Sequence, residues 1–414
     1  MAKQKEKKPL DKKGWVQTFE LIGKACIKDY TFKIDEHSKK SDWIYNSINL
    51  NVDCGDKYGK VGCELMGGYG AGRNNVIYVH GKDENGGDDF DNRYQIDFDD
   101  RFDEDILKDI GELCFIKIGI EKDTKGEVVI NKFLHAYDAI KYLSEALQDG
   151  MEIKVRGQLK YTVYDKHVQV RKEINSIYLP REKELNTYEA AFTQSMLLDK
   201  YSIGKADKDK CAFPITAYIL EKFKEYNGND LTEGGAVKGG KFVPLRKTFE
   251  YVYDPEDEKS IERAGKLFKV KKNVTLITCQ GVFVEGGAVI QTTEDDLPDD
   301  IKELVEMGAY SLEEALALCT ENASKERRML LTRPVIKLVG EDGSKIPQIQ
   351  KFDSMYSEDD LVLDYLIEAD DDEEVDEVEE DSETDTTDQD EEIDYDSMLS
   401  LIHISEPTRP ISIS

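Results

Sequence analysis

The sequence lacks the features that mark membrane-spanning and secreted proteins. It contains no run of about 18 apolar residues, the length that a transmembrane helix requires. Residues 1–13 carry several lysines with no apolar segment behind them, so they do not read as a signal peptide, and we interpret them as a flexible basic arm. These absences predict a cytoplasmic protein without membrane contact.

Cysteine and histidine are both scarce, with seven cysteines and five histidines in 414 residues. The cysteine number is odd and no CxxC pair occurs, which argues against a zinc ribbon and a disulfide framework and favours a reducing compartment. The histidines show no metal-ligand spacing. We therefore expect neither a metal nor a cofactor.

No arrangement of nucleophile and base can be recognised in the sequence. The Asp-rich run at 97–105 places its carboxylates along one loop, whereas two-metal sites need carboxylates that converge from separate elements. The run also lacks the glycine and terminal glutamate of an EF-hand loop. The sequence therefore predicts that the protein is not an enzyme.

Negative charge is concentrated near the C-terminus. Residues 367–398 contain 19 Asp and Glu residues and no Lys or Arg, and they account for most of the formal net charge of −31, leaving −12 for the rest of the chain. Such a segment cannot bury enough apolar surface to fold, so we predict a disordered acidic tail. Residues 399–414 include LSLIHISEPTR, which resembles translated sequencing-adapter DNA, and we exclude them from the fold argument.

Residues 14–183 alternate apolar and polar side chains over most of their length, which is typical of β-strands. The order of predicted elements is three strands, a helix at 133–147 and a hairpin that begins at 152–162, and this order matches an OB-fold barrel. Residues 67–112 look like a long insertion loop, rich in glycine and then in aspartate.

Residues 184–366 repeat the pattern more loosely, and we predict a second OB-like, β-rich domain. The strand-like runs lie at 188–198, 211–223, 246–253, 268–284 and 329–339, and two short helices are expected at 297–307 and 311–318. TCQGVF at 278–283 echoes KVRGQL at 154–159, each with a glycine inside a strand. The predicted fold class is mainly β with a few helices.

The leading candidate for function is a groove on the first barrel. Single-strand binders combine cations that follow the backbone with aromatic rings on which bases stack. Trp43 and Tyr45 fall on the polar face of their predicted strand, while Trp15 is expected in the core. The other candidate contact residues are Lys39, Lys40, Lys57, Tyr58, Lys60, Lys154, Arg156, Lys160, Tyr164 and Arg171. Solvated surface charge is the alternative reading of these cations.

Residues 67–73 form a glycine-rich piece, GGYGAGR. It is neither a Walker A motif nor a GxGxxG turn that opens a helix. A mobile loop carrying Tyr69 and Arg73 could clasp a DNA strand, and a simple turn is an equal alternative.

Residues 14–179, with their closing segments VRGQL, KYTVYDKHVQV and NSIYL, resemble the OB domain of phage-encoded single-stranded-DNA-binding proteins. The resemblance implies a bacteriophage protein in the host cytoplasm that coats single-stranded DNA during DNA replication, recombination and repair. It also implies an acidic tail that recruits replication proteins, and it places Trp43, Tyr45, Lys154 and Arg156 on the DNA side.

Two other classes remain open at this point. One is a phage virion or assembly protein whose β-barrels make protein contacts, with the acidic tail preventing aggregation. The other is an enzyme with an appended OB module. Salt-sensitive binding to oligo-dT favours the DNA binder, an acidic barrel groove favours the assembly protein, and metal-dependent DNA cleavage favours the enzyme.

The tail generates the first testable prediction. Deleting residues 368–414 should raise the affinity for oligo-dT at low salt, because a tethered polyanion competes with DNA for the same cations. Fluorescence anisotropy of labelled oligo-dT at low and high salt measures the effect. Equal affinities of the full and shortened chains at low salt would show that the tail does not compete.

Overall fold

The computed structural model describes residues 9–362 with several gaps. The gaps are 165, 209, 233–239, 256, 271, 340–344 and all of 286–326 except 302, 305, 307, 311 and 312. The predicted acidic tail at 367–398, the segment at 399–414 and the helices expected at 297–307 and 311–318 therefore lie outside the continuously described residues. Of the helices that are described, none is long and apolar enough to span a membrane.

The described chain is mainly β, as predicted, with four α-helices. Its first half contains β1 (Gln17–Cys26), β2 (Phe32–His37), β3 (Trp43–Asp53), β4 (Lys60–Gly70), β5 (Val76–Lys82), β6 (Asp88–Asp97), α1 (Glu104–Leu107), β7 (Ile116–Lys122), β8 (Val128–Phe133), α2 (Ala136–Ala146), β9 (Glu152–Tyr164) and β10 (His167–Tyr178). Its second half contains β11 (Glu189–Leu198), β12 (Ala212–Phe223), β13 (Glu225–Tyr226), β14 (Asn229–Asp230), β15 (Lys241–Val252), α3 (Glu258–Phe268), β16 (Thr275–Val284), β17 (Arg328–Pro334), β18 (Ile336–Val339), β19 (Ile346–Ile349), β20 (Lys351–Asp353) and α4 (Glu358–Leu361).

Five strands of the first half close into a barrel. Going round it, β1 pairs with β3, β3 with β4, β4 with β10, β10 with β9, and β9 again with β1. Only the β4–β10 contact is parallel, and α2 lies in sequence between the third and fourth barrel strands. This order and direction define an OB-fold, so the prediction for the first domain is confirmed.

The second half closes a barrel in the same way. Its strands are β11, β12, β15, β17 and β16, and β16 returns to β11. Again only the contact between the third and fifth strands, β15 and β17, is parallel, and α3 lies between the third and fourth strands. The expected OB-like second domain is confirmed.

The two barrels share one hydrogen-bonded sheet. The first strand of each barrel pairs with that of the other, β1 antiparallel to β11, from Gln17 opposite Gln194 to Ile22 opposite Glu189. Phe19 lies opposite Phe192 at the centre of this contact. An antiparallel contact between equivalent strands is what a two-fold axis produces, so the barrels are related by a pseudo-two-fold axis near this pair.

The strand registers align the two barrels residue by residue. If Phe19 is taken as equivalent to Phe192, the strand pairings assign an equivalent residue in the second barrel to each paired residue of the first. Following these pairings around all five strands of both barrels leads back to the same equivalence in the first strand. The equivalent residues are Phe19 and Phe192 in the first strand, Asp53 and Tyr218 in the second, Lys60 and Arg246 in the third, Gly157 and Gly281 in the fourth, and Arg171 and Arg328 in the fifth. The register also places 154–159 on 278–283, which are the segments that echo each other in the sequence.

Two details recur at equivalent places in both barrels. Arg171 is paired with Glu64 between the fifth and third strands, and Arg328 is paired with Glu250 between the same strands of the second barrel. The fourth and fifth strands also change register at the same position, next to Gly157 in one barrel and at Gly281 in the other. The two barrels therefore share the same strand topology, the same register change and an equivalent ion pair.

The equivalent glycines make room for the paired phenylalanines. A Cβ atom on Gly157 would lie 1.9 Å from the Glu173 carbonyl oxygen and 2.6 Å from the Phe19 ring. A Cβ atom on Gly281 would lie 2.2 Å from the Phe192 ring. Glycine is required at both positions because any side chain would displace the ring that fills the barrel beside it.

Two expectations about the elements are wrong. Residues 67–112 are not a long loop, because β4 runs on to Gly70 and β5 and β6 form a hairpin over a small core of its own. The run at 268–284 is not one strand either, since α3 ends at Phe268 and β16 begins only at Thr275. In both places charged residues obscured a short amphipathic pattern.

Residues 9–13 of the predicted arm contact the second barrel, where the Lys12 ammonium lies 2.7 Å from Glu221.

The start of α2 contains a half-buried histidine, His135. Nδ1 of His135 accepts a hydrogen bond from the Tyr137 backbone N–H at 3.2 Å and so caps the helix, while its ring meets the edge of Phe98 at 5.0 Å. Burial lowers the pKa of His135 to about 4. The imidazole is therefore neutral in the folded protein at physiological pH.

The glycine positions give a stability prediction. Gly157→Ala and Gly281→Ala should each lower the free energy of unfolding by roughly 1–3 kcal/mol, because the new methyl group overpacks the barrel. Gly265→Ala is the matched control: it lies in α3 with no atom within 4 Å of the added Cβ, so it should leave stability unchanged or raise it. Urea denaturation of the three variants decides, and unchanged stability of both barrel variants would contradict the packing argument.

His135 gives a pH-dependence prediction. As the pH falls below 6.5, the unfolded chain takes up a proton that the folded chain accepts only near pH 4, so this residue should cost roughly 2–3 kcal/mol of stability at about pH 4.5 relative to pH 7. His135→Asn keeps a helix-capping side chain and removes the titration, so its stability should fall less on acidification.

The exposed His37 at the end of β2 provides the control for that comparison. His37→Asn should retain the wild-type loss of stability between pH 7 and about pH 4.5 in urea titrations. If His135→Asn and wild type lose equal stability on acidification, the His135 imidazole is not the cause.

Candidate nucleic-acid interface

The outer face of β3 and β4 is the surface that OB barrels use for oligonucleotides. Ile48, Leu50 and Val52 of β3 are buried in the barrel core, as predicted from the alternation. The opposite side chains of β3 therefore point outward, next to alternate residues of β4. From one end to the other the outward pairs are Trp43 and Gly70, Tyr45 and Gly68, Ser47 and Met66, Asn49 and Glu64, Asn51 and Gly62, and Asp53 and Lys60.

Trp43 lies on this outer face and is half-buried. Its indole occupies the space above Gly68, where a Cβ atom would come within 2.8 Å of the ring. Trp15 packs against the main hydrophobic core, whereas Trp43 is not among the side chains that do so. The indole Nε1 of Trp43 is shielded from solvent and has no acceptor among the described residues. The ring is thus held on the surface by bare glycine backbone.

Tyr45 does not present its ring to solvent, so that expectation is wrong. It is only 6% exposed, although it points to the same side of β3 as Trp43. Gly68 lies opposite Tyr45 in β4 and leaves space beside it, and β2 covers the other edge of β3. Alternation predicts the direction of a side chain, but it does not predict how neighbouring strands bury it.

Lys39 and Lys40 lie in the turn between β2 and β3, close in sequence to Trp43, and both are exposed. The turn is closed by a hydrogen bond from the Ser38 backbone N–H to the Trp43 carbonyl. Arg73 follows the end of β4 at the same end of the barrel, and its guanidinium lies 3.1 Å from Asp42. Asp42 therefore ties the glycine-rich segment to this turn and neutralises part of its positive charge.

Tyr69 is not part of a mobile loop, which corrects the expectation for the glycine-rich piece. It lies in β4 and stacks on Phe98 with ring centroids 5.1 Å apart, while Tyr137 meets it edge-on at 5.3 Å. These contacts anchor the β5–β6 hairpin and α2 to the barrel. The ring is engaged in packing and is not available to clasp a DNA strand.

Lys57, Tyr58 and Lys60 lie in and after the β3–β4 turn, at the opposite end of the outer face. The Lys57 ammonium lies 5.1 Å from the centre of the Tyr58 ring. Lys60 is exposed and begins β4. Tyr58 itself is half-buried and packs against the core, so only part of its ring can meet a ligand.

Lys154 does not face a ligand, although it was predicted on the DNA side. Its side chain is 7% exposed and its ammonium lies 3.0 Å from Glu20 and 2.8 Å from Glu184. These contacts lower the pKa of Glu184 to about 2. Arg156 is more exposed, and its guanidinium also binds Glu20. Glu20 comes from the neighbouring strand β1, a pairing that the local sequence does not show.

The β9–β10 hairpin holds the remaining predicted residues. Tyr164 at its tip is 53% exposed, Lys160 is half-buried, and Arg171 is paired with Glu64. Among the nine predicted cations, Arg73, Lys154, Arg156 and Arg171 are held by carboxylates. The first barrel therefore brings exposed cations together at the two ends of its outer face and has a nearly neutral middle.

The second barrel carries residues that the sequence reasoning missed. Arg246 is exposed on the outer face of β15, and its guanidinium lies 5.8 Å from the ring of Tyr218 in β12. Tyr201, in the loop before β12, is 69% exposed. The internal echo was the one sequence signal that could have led to these positions, because it aligns the two barrels.

The insertion hairpin contains a histidine between a cysteine and an aspartate. His80 Nε2 lies 2.7 Å from Asp88, and its Nδ1 lies 3.2 Å from the Cys114 sulfur. The sulfur is also 3.8 Å from Nε2, so it lies beside the ring and not on the lone-pair axis of Nδ1. Burial raises the pKa of the Cys114 thiol. This geometry anchors the hairpin and is poorly suited to nucleophilic attack.

Within the described ranges, no group of three or more His, Cys, Asp or Glu side chains could hold a metal ion. The six described cysteines are free thiols, and burial raises the pKa of Cys54 and Cys279 to about 12.

Comparisons with known proteins give little information on this chain. No protein-family model and no curated protein matches the chain. The crystal structure of the wild-type single-stranded DNA binding protein from Thermus aquaticus aligns with a TM-score of 0.28 and 10% identity, over 80% of this chain and 98% of that chain. A likeness this distant supports no conclusion about what this chain binds.

Proposed function

We propose that this protein is a non-catalytic single-stranded-DNA-binding protein that coats single strands during phage DNA replication, recombination and repair. Single-stranded DNA crosses the outer face of β3 and β4 in the first barrel. The acidic tail competes with DNA for this face and docks replication or recombination proteins.

The observation that carries the proposal is the position of Trp43. Trp43 lies on the outer face of an OB barrel, packs over Gly68 and is not among the side chains of the main core, so a partly exposed indole is available on the face where DNA is proposed to bind. Base stacking on an aromatic ring contributes roughly 1–3 kcal/mol and tolerates any base. This arrangement suits binding without sequence preference.

The cations fit the length of such a site. Lys39 and Lys40 lie next to Trp43, and Lys57 and Lys60 lie beyond Asp53, ten residues further along the strand. At a rise of about 3.3 Å per residue, the two groups are separated by about 33 Å. A strand of DNA that crosses the face would meet cations at both ends and Trp43 at one of them.

The charge distribution favours single strands over duplex. Outside the tail the chain has a net charge of −12, whereas duplex-binding domains are usually basic. Several cations near the face are already held by carboxylates, so few phosphate contacts are available. Each phosphate contact to single-stranded DNA contributes a slope of about −0.7 in log affinity against log salt, and we expect only a small total slope.

The decisive experiment titrates oligo-dT into a Trp15→Phe variant, which leaves Trp43 as the only tryptophan. Trp43 fluorescence should be quenched on binding, and the affinity should fall with added salt. Trp43→Ala should weaken binding by roughly 1–3 kcal/mol, which is the contribution of one stacked base.

Two further variants separate binding from folding. Lys60→Ala should weaken binding and reduce the salt dependence, whereas Lys125→Ala, in the turn between β7 and β8, should change neither. Urea denaturation establishes that each variant is folded. If the folded wild-type protein does not bind oligo-dT even in nearly salt-free buffer, the proposed function is wrong.

One observation favours the alternative of an assembly protein. The β18–β19 hairpin pairs with no other described strand and exposes aliphatic side chains, among them Ile336, Leu338 and Ile346. Exposed apolar surface of this kind marks protein contacts. Self-association of the full chain in light scattering, combined with no oligo-dT binding, would favour this second function.

A further inference from the structure

We infer that the second barrel carries a second single-stranded-DNA site, on the outer face of β12 and β15. The inference rests on the proposed function, since it assigns the same class of ligand to a second surface. The evidence for this second site is the match between the strand registers of the two barrels. This match identifies the residues of the second barrel that are equivalent to those of the first site.

The key equivalence joins Lys60 and Arg246. Lys60 lies opposite Asp53 in the first barrel, and Arg246 lies opposite Tyr218 in the second. Both cations are exposed on the third strand of their barrel and point to the outer face. The second barrel therefore preserves the cation and replaces the neighbouring carboxylate by an aromatic ring.

That replacement makes the second surface better suited to nucleic acid than the first at this position. In the described part of the chain, Arg246 contacts the Tyr218 ring and no carboxylate lies within ion-pair distance of it. An arginine that is exposed and not neutralised can bind phosphate through its planar guanidinium. Arg171 and Arg328, the equivalent cations of the fifth strands, are both neutralised by glutamates, so the difference is specific to the third strand.

The Tyr218 ring is fixed in place. Its hydroxyl donates a hydrogen bond to Asp199 at 3.0 Å, and burial and the Asp199 charge raise the pKa of Tyr218 to about 12. The phenol is therefore neutral at physiological pH and does not repel phosphate. Asp199 itself is buried, which limits its contact with a ligand on the outer surface.

The loop that follows β11 supplies an aromatic ring that is open to solvent. Tyr201 is two residues from Asp199, whose carboxylate accepts the Tyr201 backbone N–H at 2.8 Å. The Lys200 ammonium lies 4.8 Å from the Tyr201 ring. In an OB barrel the loop between the first and second strands borders the ligand-binding face, so Tyr201 is placed to stack on a base beside Arg246.

Neutral polar groups continue the face away from Arg246. The hydroxyls of Thr216 and Thr248 are hydrogen-bonded to each other at 3.0 Å across β12 and β15, and Thr248 is exposed. Such groups can accept and donate hydrogen bonds to sugar and phosphate. Cation, ring and hydroxyls thus lie on one continuous surface of the second barrel.

The experiment counts short oligonucleotides on the full-length chain. Native mass spectrometry with an oligo-dT of about eight nucleotides, within the range that one OB barrel covers, should show two molecules per chain. The double variant Arg246→Ala, Tyr201→Ala should bind one. Arg263→Ala is the matched control: Arg263 is exposed on α3 of the same barrel, is paired with Asp257, and should leave two.

Longer DNA gives a second readout. An oligo-dT of about 30 nucleotides can occupy both barrels at once, so the double variant should lose about 10-fold or more in affinity for it. Trp43→Ala, which acts in the first barrel, should leave the second site occupied by the short oligonucleotide.

The outcomes are distinguishable. One short oligonucleotide per wild-type chain, or two on the double variant, would overturn the second site and leave the proposed function standing. No oligonucleotide on any folded chain would overturn both. Far-UV circular dichroism of the double variant, matching wild type, excludes unfolding as the cause of a lost site.

Discussion

The antiparallel contact between β1 and β11 is the constraint on which the rest of the structure depends. β1 pairs with β9 and β3 in its own barrel and with β11 across the junction, and β11 likewise pairs with β12 and β16. The barrels therefore cannot separate without breaking a continuous ladder. Because the contact is centred on Phe19 and Phe192, it also fixes the relative orientation of the two outer faces.

A buried ion pair adds specificity to this junction. Lys172 of the first barrel binds Glu285 of the second, both are nearly inaccessible to solvent, and the ammonium lies 4.6 Å from the Phe283 ring. Glu285 also accepts the Gly62 backbone N–H at 3.3 Å. A buried pair of this kind gains little stability over apolar residues, but misalignment would leave each charge unpaired, so it disfavours other docking geometries.

The strands and their inward and outward faces could be predicted from the alternation of apolar and polar residues. The exposure and ion pairing of individual side chains could not, because they depend on neighbouring strands. The period-two pattern predicts both barrels, the helix expected at 133–147 completes the OB order of the first, and the small echo around Gly157 and Gly281 marks their equivalence. The predicted exposure of Tyr45 and Lys154 was wrong: Tyr45 is flanked by β2 and β4 on either side of β3, and Lys154 is enclosed by Glu20 and Glu184. Residues distant in sequence determine burial and ion pairing, and one strand's pattern cannot report them.

The neutralised cations change how the first face must work. With Arg73, Arg156 and Arg171 held by carboxylates, electrostatic attraction alone is weak, so under the proposed function stacking on Trp43 must contribute a large share of the affinity for DNA. A site of this kind binds through contacts that salt screens poorly, because stacking releases no counterions. The two proposed sites would gain affinity by joint occupancy instead, since the β1–β11 junction would keep the second face at high effective concentration for a strand already bound to the first.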